Sequence, residues 1–357
     1  MSVPQILFVI GAGASNEAGL PLGSDLKSMI ARLLDIRFER GFDRQSGDER
    51  LIEAFSFHAR ENDGGRGNIN PYLHEAWKVR DGMSLAPSID NFLNVHNDNA
   101  VMSYCGKVAI VRAILAAEST SKLKLAEGAS DRQIDFKGVA NIWYTRLWQK
   151  LTENCTRQSL HDRLSQVAFV VFNYDRCIEH FLHCAARMYY QLSESEATAA
   201  LSALKIYHPY GRVGRLPWEL GENLVGFGAD VHPAVLNQLA NQIKTFTEGT
   251  DPTESDISGI RSLVRDTTRI VFLGFAYHPI NLELLFPSDQ ESHSGVGSDL
   301  FGTAKGISTS DCRTIADELS KGLNTNVDRI HLESSRDCSG LFDEFGRNLS
   351  LKGSPSK

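Results

Sequence analysis

The sequence contains no Cys-x-x-Cys pair. Its six cysteines stand at 105, 155, 177, 184, 312 and 338, a spacing that excludes the usual zinc knot, so no metal site is expected. No apolar run approaches the roughly 18 residues of a membrane-spanning helix. The first apolar run, Ile6 to Ile10, is too short for a secretory signal and no basic residue precedes it. A reducing cytoplasm, with the thiols as ordinary buried residues, is the expected compartment. Positive charge is in deficit as well. With 37 Lys and Arg against 44 Asp and Glu the net charge is -7, which argues against nucleic-acid binding by the surface as a whole. Neither a membrane nor a direct nucleic-acid contact is expected.

What is present is globular. At 357 residues, 42% hydrophobic and 23% charged, the chain can bury a sizeable core in one large domain or two ordinary ones. Its organising stretch is Ile6 to Leu22, ILFVIGAGASNEAGLPL. An apolar run passes through Gly11-Ala12-Gly13-Ala14-Ser15 into a helix-like segment with Gly19. This is the pattern of a buried parallel strand turning into a helix whose N-terminus faces a phosphate. Gly11 and Gly13 permit close backbone approach, and Ser15 adds a hydroxyl. The third glycine of the dinucleotide fingerprint is replaced by Asn16. No Gly-Lys-Ser/Thr follows, which excludes a P-loop. A strand-to-helix turn without ligand is the alternative.

Helical spacing predicts helix over 24–60, with Ser24 as its cap, then a loop over 61–70. More helix is expected around Trp77 and Ile89 to Val95, capped by Ser88, and over 101–117 and 139–166. Residues 119–135 are polar and expected to loop. The stripe Trp143, Leu147, Trp148 and Leu151 is expected to pack in the core. Further strands are expected at Val167 to Asn173, Lys205 to Tyr207, Arg269 to Gly274, Asp299 to Gly306 and Arg329 to Glu333, with helices between them. The fold class expected is α/β: a Rossmann-like parallel sheet with helices on both faces and a large helical insertion after the first strand-helix unit. Residues 1–24 and 165–350 form the core in this reading, 25–164 the insertion and 351–357 a flexible tail.

In such a sheet the ligand sits at the carboxyl ends of the strands. That rule gathers Gly11 to Ser15, Asn173, His208 and Gly274 at one rim. Asn173 and Asp175 together suit orienting a water and recognising a carboxamide, although Asp175 also suits a helix N-cap. His208, on the Pro/Gly-rich loop His208-Pro209-Tyr210-Gly211, is placed for general-base work or a ribose hydroxyl contact, or is structural. Gly274-Phe275-Ala276 is a second backbone loop able to close over a nucleotide. His278 is a turn residue in this reading.

Taken in order, these four stretches resemble the sirtuin family. The family's Gly-Ala-Gly-x-Ser and small-Gly-aliphatic-Pro match Gly11 to Ser15 and Ala18 to Pro21. Its Asn-x-Asp matches Asn173-Tyr174-Asp175, its histidine and nearby glycine match His208 and Gly211, and its later Gly loop matches Val271 to Gly274. The departures are specific. Leu22-Gly23-Ser24 replaces the Asp-Phe-Arg of protein deacylases, Phe172 replaces a glutamine, and no cysteine lies between His208 and Gly274 where deacylases carry a zinc module. With the segment Ser88-Ile89-Asp90-Asn91-Phe92-Leu93, the pattern looks more like the sirtuin-like NADases of prokaryotic antiviral systems. That resemblance implies an NAD+ glycohydrolase without zinc that consumes NAD+ as substrate and depletes it on phage sensing. It implies NAD+ held by Gly11, Ala12, Gly13, Ala14, Ser15, Gly19, Gly274 and Phe275, with Asn173, His208 and Asp175 at the reacting bond. It also implies a homo-oligomer and a sensor in trans, such as a HerA-like ATPase or an Argonaute-like protein. NAD-dependent deacylation, ADP-ribosyl transfer and a non-catalytic nucleotide-binding scaffold stay open as alternatives.

Overall fold

In the computed structural model, residues 3–40, 43–125, 133–250, 256–287 and 297–351 are described. The apolar run forms β1 (Ile6–Ile10), every residue of it buried. It turns into α1 (Ala12–Asn16), only five residues long. The long helix expected over 24–60 is two helices parted by a hairpin: α2 (Gly23–Leu34), β2 (Arg37–Glu39) with antiparallel β3 (Asp43–Ser46), then α3 (Glu49–Asn62). Ser24 lies inside α2; the start of that helix is capped by Asp25, whose carboxylate accepts the Leu22 N–H at 3.1 Å. Next come α4 (Asn70–Gly82), α5 (Ile89–Val95) and α6 (Ala100–Thr120). Ser88 caps α5 as expected, accepting from the Asn91 N–H at 3.0 Å. The remainder of the segment is α7 (Trp143–Thr152) and α8 (Leu160–Leu164). The predicted loop over 119–135 lies partly outside the described residues, and the tail from Lys352 entirely so.

The sheet resumes at β4 (Val167–Val171), followed by α9 (Cys177–Tyr190) and α10 (Glu194–Leu201). Then come β5 (Lys205–Tyr207), α11 (Pro233–Ala240), α12 (Phe246–Thr250), α13 (Ile257–Asp266) and β6 (Arg269–Leu273). The chain closes through α14 (Pro279–Leu285), β7 (Asp299–Thr303), α15 (Thr309–Leu323), β8 (Ile330–Glu333) and α16 (Cys338–Phe345). Six strands form one sheet in the order β5-β4-β1-β6-β7-β8, each pair parallel. Counting sheet strands along the chain, this is the 3-2-1-4-5-6 order of a Rossmann-like sheet, and its order reverses between β1 and β6.

Side chains alternate across the pleat. Leu7, Val9, Ala168, Val170, Ile270 and Phe272 face a layer built from α2 to α6, α11 and α13 to α15. Ile6, Phe8, Ile10, Phe169, Val171 and Leu273 face the other, built from α7 to α10 and α16. Helices from the segment between β1 and β4 therefore share a core with the sheet on both faces. Within that segment α6 is long and apolar enough to span a membrane, with mean hydropathy 1.6 over its best window. It is 67% buried over that window, as a helix apolar all round is when it runs through a core.

One buried ion pair ties α6 to the start of α9. The Glu118 and Arg176 side chains are both wholly buried, with Arg176 Nη2 donating to Glu118 Oε2 at 2.5 Å. Arg176 also donates to the carbonyls of Val225 at 2.6 Å and Gly226 at 3.1 Å, while Glu118 accepts the Gly228 N–H at 2.9 Å. Such pairs add little against an apolar substitute, but removing one partner strands a buried charge. Arg176→Met is expected to lose about 3–5 kcal/mol of unfolding free energy. Adding Glu118→Gln should recover part of that loss, read as urea midpoints of the single and double variants.

Candidate functional site

The rim at the carboxyl ends of β5, β4, β1 and β6 carries four loops, and backbone contact locks two of them together. Gly11 N–H donates to Leu273 O at 2.9 Å, and Gly13 N–H to Gly274 O at 2.9 Å. A Cβ on Gly11 would fall 2.5 Å from Gly274 O, and one on Gly274 would fall 1.9 Å from the Ala14 nitrogen. Gly274 also sits at φ +55°, a left-handed conformation costly to other residues. The glycines thus let the β1 and β6 loops approach each other, and all three of their N–H groups are already used, that of Gly274 on Thr303 Oγ1 at 2.8 Å. Ala12 and Gly13 are the half-buried members of the loop. Ala14 is buried, its carbonyl accepting from Trp143 Nε1 at 2.8 Å. Gly19 lies in the turn after α1 with φ +94°, and a Cβ there would fall nearest Ser121 and Lys122.

One carboxylate holds α1 from behind. The Glu17 carboxylate accepts the Trp143 N–H and the Ser339 N–H, each at 2.9 Å, and so caps α7 and α16 at once. Burial raises its carboxyl in spite of those bonds. With only five residues, α1 aligns few peptide dipoles, so the expected helix-terminus charge is small here.

Asn173 follows β4. Its amide nitrogen donates to Gly11 O and to Ser15 Oγ, both at 3.0 Å. Both amide hydrogens are taken, which leaves the carbonyl oxygen as what this side chain offers a ligand. Ser15 is buried beneath it, its hydroxyl used inside the protein. Asp175 is also buried, and its Oδ1 accepts the Cys177 N–H at 3.1 Å; the N-cap position of α9 that the sequence offered to it is held by Arg176, without a side-chain cap bond. Burial pushes the Asp175 carboxyl up, against the Ser15 hydrogen bond. Between them Tyr174 turns the other way, and its hydroxyl bonds the Asp90 carboxyl of α5. Burial raises Asp90 too.

His208, at the end of β5, has both ring nitrogens on oxygen. Nδ1 lies 3.3 Å from the Asn173 main-chain carbonyl, and Nε2 donates to Glu179 Oε1 at 2.7 Å. Arg212 Nη1 donates to the same Glu179 oxygen at 2.8 Å, and its Nη2 to Glu219 at 2.6 Å. Burial alone would raise the Glu179 carboxyl, but His208 and Arg212 outweigh it and hold it at about 2. Phe275 is buried against Phe172 (ring centroids 5.1 Å apart), which also meets Tyr210 at 5.6 Å, so an aromatic wall adjoins the amide. Tyr210 donates to Asn281 Oδ1 at 2.6 Å. His278 stands as N-cap residue of α14.

The structure therefore joins Gly11, Gly13, Ser15, Asn173, Asp175, His208, Gly274 and Phe275 around one rim; among the described residues, Gly19 makes no hydrogen bond with them. Glu179 and Asp90 were not singled out as site residues. A carboxylate inside the apolar run Cys177 to Leu182 was the available signal for Glu179. Two cavities, of about 440 and 430 Å3, lie elsewhere: one lined by Gln5, Arg269, Asp299 and Arg329, the other by Arg44, Asp48, Arg50 and Arg112. Comparison with protein-family models and with curated proteins finds no match for this chain.

Two histidines on α9 flank the site and fix a pH response. His180 stacks on Phe227 at 4.0 Å and His183 on Trp218 at 4.4 Å. Burial pushes them down, to about 3 and about 4. Both are neutral when folded, whereas the unfolded chain protonates them below about pH 6.5. Their contribution is complete above that pH and is lost as pH falls toward 4 and 3. His180→Gln should flatten the fall in unfolding free energy between about pH 6 and 4, by at most about 1.4 kcal/mol per pH unit. Urea unfolding of both proteins across that range checks it.

Proposed function

We propose that the rim binds NAD+ and that the chain hydrolyses the bond between nicotinamide and ribose, giving nicotinamide and ADP-ribose. The observation that carries this reading is the Asn173 amide. Both its hydrogens are committed to the Gly11 carbonyl and Ser15, so a neutral acceptor oxygen is left beside a histidine at the point where the sheet order reverses. Breaking this bond develops positive charge on the anomeric carbon while the electron pair leaves with the pyridine nitrogen. An oriented amide oxygen stabilises such charge and also holds a water. The water oxygen bonds to the anomeric carbon, and its proton passes to His208 acting as general base. The order and identity of the four motifs, with their resemblance to sirtuin-like NADases, favour NAD+ over other nucleotides.

The donor set agrees with this substrate in part. Ala12 remains at the loop for the pyrophosphate, and Asp175 is the buried carboxyl beside Asn173 for the carboxamide. Ser15 faces Asn173 and accepts a hydrogen of its amide. In this reading the chain is an antiphage effector, triggered by a partner in trans or by self-assembly, that depletes NAD+.

Asn173→Ala and His208→Ala are each expected to lower NAD+ turnover by at least about 10²-fold. Asn173→Ala should also cost about 1–3 kcal/mol of stability, because two buried acceptors lose their donor. Chromatography of nicotinamide and ADP-ribose, paired with circular dichroism, checks both. Full activity in both variants overturns the assignment. O-acyl-ADP-ribose as product would point to deacylation, and label retained on a macromolecule to ADP-ribosyl transfer.

A further inference from the structure

Glu179 belongs to no motif, yet its carboxylate bonds the ring of His208 directly. It sits in the first turn of α9, four residues after Asp175, with its side chain 3% exposed. Its Oε1 takes two donors, His208 Nε2 at 2.7 Å and Arg212 Nη1 at 2.8 Å. Its Oε2 is buried with no hydrogen-bond partner among the described residues. A carboxylate serving only as an ion-pair anchor has reason to satisfy both oxygens. This one is held by one oxygen against the ring.

The two nitrogens of His208 meet different acceptors. A carboxylate faces Nε2 at 2.7 Å and a peptide carbonyl faces Nδ1 at the looser 3.3 Å. When the ring is neutral it has one N–H, and the charged acceptor makes the stronger bond. The proton then stays on Nε2, and Nδ1 becomes the lone-pair nitrogen. A lone pair facing a carbonyl oxygen is repelled by it, so Nδ1 is the ring nitrogen that a hydroxyl or a water displacing that contact can donate to. The groups that face the pair are Arg212, Glu219 behind it, and the Asn173 carbonyl. Arg212 keeps Glu179 ionised, and Glu219 keeps Arg212 in place.

We propose that Glu179 is the positioning residue of His208: it fixes the Nε2–H tautomer and makes Nδ1 the nitrogen that meets substrate. This rests on the assignment of His208 to the reaction under Proposed function. The tautomer itself can be read without any activity. In protein labelled with 15N-histidine, with His208→Gln used to assign the ring, the measurement is made at a pH where the ring has lost its first proton. The expected wild-type spectrum has a protonated Nε2 and an unprotonated Nδ1. In Glu179→Gln the amide can donate to Nε2, so the ring is expected to shift toward the Nδ1–H tautomer, which donates to the Asn173 carbonyl. An Nδ1–H tautomer in the wild type, or the same tautomer population in both proteins, overturns the proposal.

Kinetics give the second arm. Glu179→Gln is expected to lower kcat for NAD+ about 10²-fold with KM within about threefold. A loss carried by KM alone overturns the positioning role. If the wild type consumes no NAD+, with or without the product of a neighbouring gene, the functional reading fails while the tautomer measurement still decides the role of Glu179.

Discussion

The site depends first on a place where no side chain fits. Gly11, Gly13 and Gly274 bring the loops after β1 and β6 into backbone contact, with hydrogen bonds of 2.9 Å on Gly11 and Gly13. Everything at the rim takes its position from that contact. The Gly11 carbonyl, fixed there, accepts one hydrogen of the Asn173 amide and sets which way its oxygen points. The Asn173 main chain in turn faces His208, and Glu179 holds the far side of that ring. The interlock is made of main chain, so it gives little burial energy. It gives position, because neither loop can shift without the other.

Buried polar pairs then connect the helices between β1 and β4 to this frame. From α6, Glu118 reaches Arg176, next to Asp175. From α5, Asp90 reaches Tyr174, next to Asn173. From α7, Trp143 holds the Ala14 carbonyl and has its own N–H capped by Glu17. Such contacts are poor sources of stability but narrow the ways a helix can dock, since any slip leaves a buried charge or donor unmet. These helices thus form the back of the site as well as the two covering layers of the sheet.

How much of this was legible in the sequence follows from which interactions are local. Strands β1, β4 and β6 announce themselves as short apolar runs ending in Gly or Asn, and the topology follows from their spacing. The hairpin Arg37 to Ser46 does not, because its residues are polar and largely exposed and the helical spacing of 24–34 resumes beyond it. The glycines were legible as a demand for close approach. Which chain approaches is not written in them: the structure places Gly274 against Gly11 and Gly13. Ser15 illustrates the same limit, since its partner Asn173 is distant in sequence. Glu179 was visible only as an anomaly in an apolar helix. Its meaning needs His208, which α10 and β5 bring to it.

The chemistry of the rim is biased in sign, and the bias bears on the choice among reactions. Two of the loop N–H groups that would receive a developing oxyanion, those of Gly11 and Gly13, are spent on Leu273 and Gly274. The groups that remain around Asn173 are acceptors: its own amide oxygen, and the Asp175 carboxyl beyond it. A reaction that builds negative charge on oxygen, as acyl transfer does, needs the reverse. A reaction that builds positive charge at carbon is served by acceptors. It is served best by neutral or weakly charged ones, which do not demand a counter-cation in the resting protein. Asp175 meets that condition through burial, which shifts its carboxyl toward the neutral form. Asn173 meets it by being an amide. The cations in the neighbourhood, Arg176 and Arg212, are each bound to a carboxylate of their own, so they leave the field at the amide oxygen to the acceptors. That polarity is the physical argument behind the proposed cleavage of a glycosidic bond through an oxocarbenium-like state at this rim.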